Sequence, residues 1–327
     1  MNETHDRRAE QRKQRVLKST VFVIAIVIIA SVVLALGLSG CSPKPTTEGV
    51  RVVATTTQLT DFSSAVVGDT GTVTGLVGPN QSAHSFDPSA DQLVALSNAQ
   101  LLVTNGLGLE PWLDRAIDAS GFHGVIVDAS TDVTQLPSAD PHIWTNPLNA
   151  GYMVDNIQAG LDQVAPAQKA TFAANADAYR SQLQSLDTWI RDNMAQVPEA
   201  QRLLVTNHDA LAYFVAEYGI TFLGSIIPSM DDNAEPSAAD VDALSAEIKR
   251  SGATAVFSET SLSPALAQTI AAEAGVAVFD GEDALYADSL GPAGSSGATY
   301  LSASIHNVDV LMRAWGYQPL PLPEDLP

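Results

Sequence analysis

The chain has 327 residues, 46% hydrophobic and 16% charged, a composition that excludes a disordered chain and allows a core large enough for two lobes. It carries 16 basic against 37 acidic residues, a formal net charge of −21, and so acidic a body repels phosphate backbones, which excludes nucleic acid as a partner. A single cysteine, Cys41, excludes an internal disulfide framework and a thiolate zinc cluster.

Residues 1–40 are expected to be an address rather than part of the fold. Arg7, Arg8, Arg12, Lys13, Arg15 and Lys18 precede an uncharged run from Val21 to Leu36. A basic flank before an apolar run enters the secretory machinery with its N-terminus inside. The run is long for a signal peptide, so an uncleaved membrane helix is the competing reading. Leu38-Ser39-Gly40-Cys41 decides for the first, because it resembles a bacterial lipobox whose cysteine takes a diacylglyceryl group and becomes the mature N-terminus. Two or more acyl chains make a stable anchor. Residues 41–49, with Pro43 and Pro45, read as a tether. An extracytoplasmic protein, lipid-anchored to the cell membrane through Cys41, is expected.

Beyond the tether, short β-branched runs alternate with helical stretches, the pattern of parallel α/β architecture. Strands are expected over 51–56, 72–77, 101–104, 124–127, 202–206, 220–227, 255–258 and 276–279. Helices are expected from near Leu59, Pro88, Pro111, Leu148, Asp209, Ser237, Pro264 and Thr299. A shift of 151 residues lays Arg51, Thr55 and Gly68 on Arg202, Thr206 and Gly219. A shift of 148 lays Asp87-Pro88-Ser89-Ala90 on Glu235-Pro236-Ser237-Ala238. Two near-equal shifts in the same order indicate a duplicated α/β lobe. Between the copies, Phe172, Ala176, Tyr179, Leu183, Leu186 and Ile190 recur at helical spacing, with Pro166 and Pro198 as boundaries. The expected plan is two pseudo-symmetric parallel-sheet lobes, 50–164 and 197–327, joined by one long helix over 165–196.

Histidines are placed selectively. His84 follows the second expected strand, His142 stands in Asp140-Pro141-His142-Ile143-Trp144, and His208 follows a strand in Asn207-His208-Asp209. Asp280 ends the last strand. Loops beyond the carboxyl ends of parallel strands line the ligand crevice, and three imidazoles with one carboxylate saturate a tetrahedral zinc. Spacing alone leaves open that each histidine is an ordinary loop or core residue. His123 and His306 are expected on the surface, the latter on a final helix. Trp112 and Trp144 read as packing residues. Glu259, at the end of a second-lobe strand, either orients a ligand histidine or is a charge at the following helix. Asp231 and Asp232 with Glu235 read as a solvated loop, with a permease dock as the alternative.

The segments His84-Ser85-Phe86-Asp87-Pro88, Gly108-Leu109-Glu110-Pro111-Trp112, Asp140-Pro141-His142-Ile143-Trp144, His208-Asp209-Ala210 and Glu235-Pro236-Ser237 resemble the zinc/manganese substrate-binding lipoproteins of ABC importers, the ZnuA/TroA-like family. The resemblance implies one metal held between two lobes that a long helix links, with His84, His142, His208 and Asp280 as ligands. It departs at the last of these. The family's Leu-Asp-Pro-Leu is set against Phe279-Asp280-Gly281-Glu282 here, with Glu282, Asp283 or water as competitors for Asp280. No histidine-rich loop is present, so no harvesting role is carried over. Manganese-binding members usually have Glu where this chain has His208, which favours zinc over manganese or iron.

The resemblance implies a non-enzymatic, monomeric carrier that gives zinc to a membrane permease driven by a separate ATPase subunit, since no phosphate-cradling loop stands in this chain. A secreted zinc hydrolase with Glu259 as base, and an adhesin or metallochaperone, are the competing readings.

Overall fold

The structure, a computed structural model, describes residues 49–327. The expected leader, Cys41 and all of the tether but its last residue lie outside the described residues. Among the described residues no helix is long and apolar enough to cross a membrane.

The first half alternates β1 (Val50–Ala54), α1 (Thr57–Val67), β2 (Gly71–Gly75), α2 (Ala90–Asn98), β3 (Leu101–Thr104), α3 (Leu113–Ser120) and β4 (Val125–Asp128). The strands form one parallel sheet in the order β2-β1-β3-β4, with Val52 opposite both Val73 and Leu101. The all-apolar Leu-Leu-Val run of β3 is buried on both faces, whereas β2 and β4 at the edges alternate half-buried and exposed residues, as flanking positions in a parallel sheet dictate.

Two helices follow. The Asn146 side chain caps α4 (Pro147–Val164) by accepting from Leu148 N, with Pro147 in the first turn, where a missing N–H costs nothing. Gly160 lets α4 lie against the sheet, since a Cβ there would fall 2.3 Å from Val127 Cγ2. A short 3-10 turn at Pro166–Gln168 then leads into α5 (Lys169–Ala195), which at 27 residues is about 40 Å long. The six apolar positions expected on one face of this helix are all buried, and α5 packs on α1 and α4 as well as on the second half.

The second half repeats the plan with β5 (Leu203–Thr206), α6 (Ala212–Tyr218), β6 (Thr221–Ser225), α7 (Ala238–Ser251), β7 (Ala255–Phe257), α8 (Ala265–Ala274), β8 (Ala277–Phe279) and α9 (Tyr300–Ala314). The pairs β5-β6 and β7-β8 are parallel, and β5 packs beside β7 without a continuous ladder. Every expected strand is present, and the expected helix starts fall within one turn of those observed. The repeat shows in the caps. Ser89 with Gln92 and Ser237 with Asp240 form capping boxes at the starts of α2 and α7, while Gly68 and Gly219 end α1 and α6.

His123 is exposed, as expected. His306 is not: it is half-buried, with Nε2 3.0 Å from the Ala284 carbonyl oxygen and its ring edge-on to Tyr286. The face of α9 that carries it is covered by the segment after β8.

Candidate metal centre

Three loops at the carboxyl ends of strands bring His84 (after β2), His142 (after β4) and His208 (after β5) together. The fourth member of the cluster is Asp288, nine residues beyond the end of β8. This corrects the expectation for Asp280. That side chain accepts a hydrogen bond from Gln268 Nε2 on α8 at 2.6 Å and stands outside the cluster. Its two competitors are also elsewhere, Glu282 being exposed and Asp283 paired with Arg313 at 2.7 Å. The strand ends at Phe279, but the chain first makes a 3-10 turn at Gly281–Asp283 and a bridge between Leu285 and Glu259. Only after these does it reach the crevice. A signal for this was present: Ala287-Asp288-Ser289-Leu290 keeps the Asp and the final Leu of the Leu-Asp-Pro-Leu pattern, which the segment at Asp280 does not.

The distances are those of a coordination shell. His84 Nε2 lies 3.1 Å from His142 Nε2 and 3.5 Å from Asp288 Oδ2. Asp288 Oδ1 lies 3.4 Å from His142 Nε2, and Oδ2 lies 3.2 Å from His208 Nε2. A tetrahedron with a metal–ligand distance of about 2.0–2.1 Å has edges of about 3.3–3.4 Å; these four separations are near that length, with the carboxylate meeting His142 through Oδ1 and His84 and His208 through Oδ2, and the whole donor set lies within 4.8 Å. His208 Nε2 and both Asp288 oxygens are buried without a hydrogen-bond partner in the protein. Buried polar atoms are seldom left unpaired, and a cation at the centre satisfies all three.

The opposite ring nitrogens are fixed by carboxylates. His142 Nδ1 is 2.6 Å from Asp140 Oδ1, and His208 Nδ1 is 3.0 and 2.9 Å from the two oxygens of Glu259. A proton on Nδ1 leaves the Nε2 lone pair for a metal, and this contact is the one that the first of the two readings for Glu259 requires. The Gly108–Trp112 segment supports the first-lobe loops. Glu110 accepts from Asn105 N at 2.7 Å and Thr55 Oγ1 at 2.5 Å, Asn105 Nδ2 donates to the Pro141 carbonyl at 2.9 Å, and Trp112 Nε1 donates to the Ala83 carbonyl at 2.8 Å. The last two bonds each end one residue before a histidine of the cluster. Trp112 and Trp144 are therefore buried as expected, but they also hold backbone beside the site, a role that composition does not reveal.

Charge balance in the site follows from burial and proximity. Burial pushes the His208 imidazole down, but the charges of Glu259 and Asp288 outweigh it and raise its pKa well above the ordinary value. His84 is likewise pushed down by burial and raised on balance by Asp288 and Asp232. Asp232 is buried, while Asp231 and Glu235 on the same loop are exposed. Burial pushes the Asp288 carboxyl up, and the charges of His208 and His142 hold it well below the usual carboxylate range. A metal entering the cluster therefore competes with protons for the imidazole nitrogens.

Comparison with known proteins gives a consistent picture. A sequence model of the family described as "Zinc-uptake complex component A periplasmic" matches residues 52–314. The manganese-binding lipoprotein MntA of Halalkalibacterium halodurans is 30% identical over 301 residues, covering 90% of this chain and 98% of that protein. The zinc-binding protein TroA of Treponema pallidum is 30% identical over 304 residues, covering 88% and 97%. The solved structure of the TroA periplasmic zinc-binding protein superposes with a TM-score of 0.76 at 27% identity, over 82% of this chain and 99% of that one.

Proposed function

The chain belongs to the zinc-uptake complex component A family of periplasmic binding proteins, and from that premise we propose that it captures a zinc ion between His84, His142, His208 and Asp288 and presents it to a membrane permease. The family is the extracytoplasmic, metal-binding component of ABC importers and not an enzyme family, which implies a permease and an ATPase subunit as partners. The finer reading is that the chain is anchored by acyl groups on Cys41 after removal of residues 1–40, and works as a monomer.

The observation that carries zinc is the convergence of three imidazole nitrogens and one carboxylate within 4.8 Å, with each imidazole nitrogen 3.2–3.5 Å from an Asp288 oxygen. That geometry and that nitrogen-rich set suit a borderline ion of tetrahedral preference. Manganese favours six oxygen-rich ligands, which this cluster does not supply. Four protein donors also leave no vertex for the water that a catalytic zinc keeps, so the hydrolase reading has no support in the geometry.

The test is metal analysis of protein purified without added metal, followed by zinc and manganese titrations. One equivalent of zinc that excess manganese does not displace is the expected result. Manganese retained against zinc overturns the choice of metal. Deletion of the gene should reduce zinc uptake in chelated medium, and unchanged uptake in a cell with no second importer overturns the transport role.

A further inference from the structure

Asp288 comes late in the chain, yet the segment that carries it is held by the first lobe. Up to Tyr286 the chain is bound to second-half elements. Leu285 N donates to the Ser258 carbonyl at 2.8 Å, and Tyr286 N donates to Asn307 Oδ1 at 2.9 Å. One residue later the partners change. Gln58 Nε2 and Trp144 Nε1 both donate to the Ala287 carbonyl, at 3.1 and 2.9 Å. On the far side of Asp288, Leu290 N donates to Thr57 Oγ1 at 2.8 Å and Ser289 Oγ accepts from Asn80 N at 2.7 Å. Thr57 Oγ1 in turn donates to Gln58 Oε1 at 3.0 Å. Thr57 and Gln58, in the first turn of α1, thus grip the backbone on both sides of the ligand. Thr57, Gln58, Trp144 and residues 287–290 are buried, where an unmade hydrogen bond is costly.

We propose that Thr57 and Gln58 are positioning residues for Asp288, and that they assign it mechanically to the first lobe. The site then divides three donors to one. His84, His142 and Asp288 share the first-lobe frame. The second half meets that frame through α6, where Tyr213 Oη donates to the Asp140 carbonyl at 3.0 Å, but the His208 imidazole itself is tied through Nδ1 to Glu259 of the second half and is the donor that parts when the cleft opens. Release needs one broken coordination bond rather than two, and the carboxylate that neutralises the ion stays with it until it leaves. This rests on the metal-binding reading above.

The test uses the mature chain with zinc and with cobalt(II), whose visible absorption reports coordination number. Gln58→Met keeps the side-chain volume without the donor, and Thr57→Val removes the hydroxyl at constant shape. Each should weaken zinc binding by about 10- to 100-fold, the usual effect of losing a group that orients a ligand. Each should also reduce the tetrahedral cobalt bands, and Thr57→Ser should restore both. In an Asp288→Asn background Gln58→Met should add little, because the two act through one group. With His208→Ala, bound metal should still protect the amides of 287–290 from hydrogen exchange while 203–208 lose that protection.

Unchanged affinity and cobalt spectrum in both Gln58→Met and Thr57→Val, or multiplicative effects with Asp288→Asn, overturn the positioning role. Joint loss of protection at both segments overturns the three-to-one division. Wild-type protein that binds neither metal overturns the metal reading itself, and this proposal with it. If Gln58→Met does not fold, as judged by its thermal transition, the Thr57→Val and Thr57→Ser pair decides.

Discussion

The first lobe closes its four strands into one hydrogen-bonded ladder, whereas the second keeps β5-β6 and β7-β8 as separate pairs and shifts register between Leu204 and Val205. Their cores differ in the same sense. Residues from β1 and β3 join α4, α5 and α9 in one continuous cluster that also takes in Leu204, Tyr213, Phe214 and Phe257 of the second half, and in it the Phe62 ring sits edge-on to Tyr179 and Tyr300 at 5.9 and 4.9 Å. Between β5, α7, β7 and α8 lies a smaller, separate cluster of Val205, Ile226, Leu244, Ile248, Val256 and Ile270 filled out with Ala253, Ala267 and Ala271. One plan, used twice, has produced a rigid frame and a lighter flap. Small apolar residues bury less area per side chain, and a lobe with its own small core opens locally at lower cost.

That contrast is broken most directly by cutting each core. Phe62→Ala should cost about 3–5 kcal/mol and lower the single thermal transition of the whole body, because Phe62 sits where the frame, α5 and α9 meet. Ile270→Ala should cost about 2–5 kcal/mol but show itself as faster amide exchange confined to β5–β8, α7 and α8. Exchange that accelerates equally across β1–β4 in the second variant would mean that the two lobes unfold as one unit, and the comparison would fail.

The next effect is at the site. Asp288→Ala removes the carboxylate proposed as the fourth donor and should weaken zinc binding by more than the about 100-fold that loss of a mere orienting group costs. Asp280→Ala removes only a surface bond to Gln268 and should leave the affinity within about threefold, since it lies outside the shell that sets zinc binding. Isothermal titration against a competing chelator measures both. The reverse ranking would restore Asp280 as the ligand.

This pair also marks how far the sequence could be read. Periodicity located every strand and the α5 face because those signals are local: Phe172 to Ile190 lie on one helix, and β3 is a run of Leu and Val. The three histidines were legible as candidates because His208 follows β5 by two residues, His142 stands in the Asp-Pro-His-x-Trp segment, and His84 opens the His-Ser-Phe-Asp-Pro segment in the loop after β2. Asp288 was not, because its place is set by bonds from Gln58, Trp144 and Thr57, partners more than 140 positions away in sequence for the nearest of them. His306 was misplaced for a related reason. A helix face looks free in sequence until the segment that covers it, here Ala284 to Tyr286, is seen folded over it.

Titration sharpens the contrast between metal-free and loaded protein. In the metal-free form His208 has a raised pKa, so its contribution to stability is complete below about pH 6.5, its unfolded value, and is lost as pH rises through the folded value. Asp288 is shifted the other way: its contribution is present above its unfolded value and is lost as pH falls through the folded one. Zinc competes with the proton on His208, so loading strengthens as pH rises. The increase in Tm produced by zinc should therefore widen from about pH 6 to pH 8, with the metal-free Tm drifting down over the same interval. An increment that does not change with pH would contradict a site in which imidazoles must lose protons.

The smallest effect compares the two capping boxes, which stand at equivalent places in the repeat. Ser89→Ala and Ser237→Ala each remove the acceptor for a first-turn N–H and should each cost about 1 kcal/mol. Their pH dependence should differ. The box of α2 closes with neutral Gln92, while that of α7 closes with Asp240, whose carboxyl is held below its ordinary value by the Ser237 hydroxyl and backbone N–H. A lowered carboxyl contributes above its unfolded pKa and ceases to do so as pH falls through the folded one, so the penalty of Ser237→Ala should shrink in acid while that of Ser89→Ala stays constant. α7 also carries Lys249 and Arg250 in its last turn and Gly252 as a left-handed cap, charges and a stop that favour a helix on its own account. α2 has no basic residue in its last turn and ends at Ala99. The flap thus draws on local helix chemistry where the frame draws on its core, and denaturant titration of the two variants at neutral and acid pH measures that division. Equal pH dependence in both would remove it.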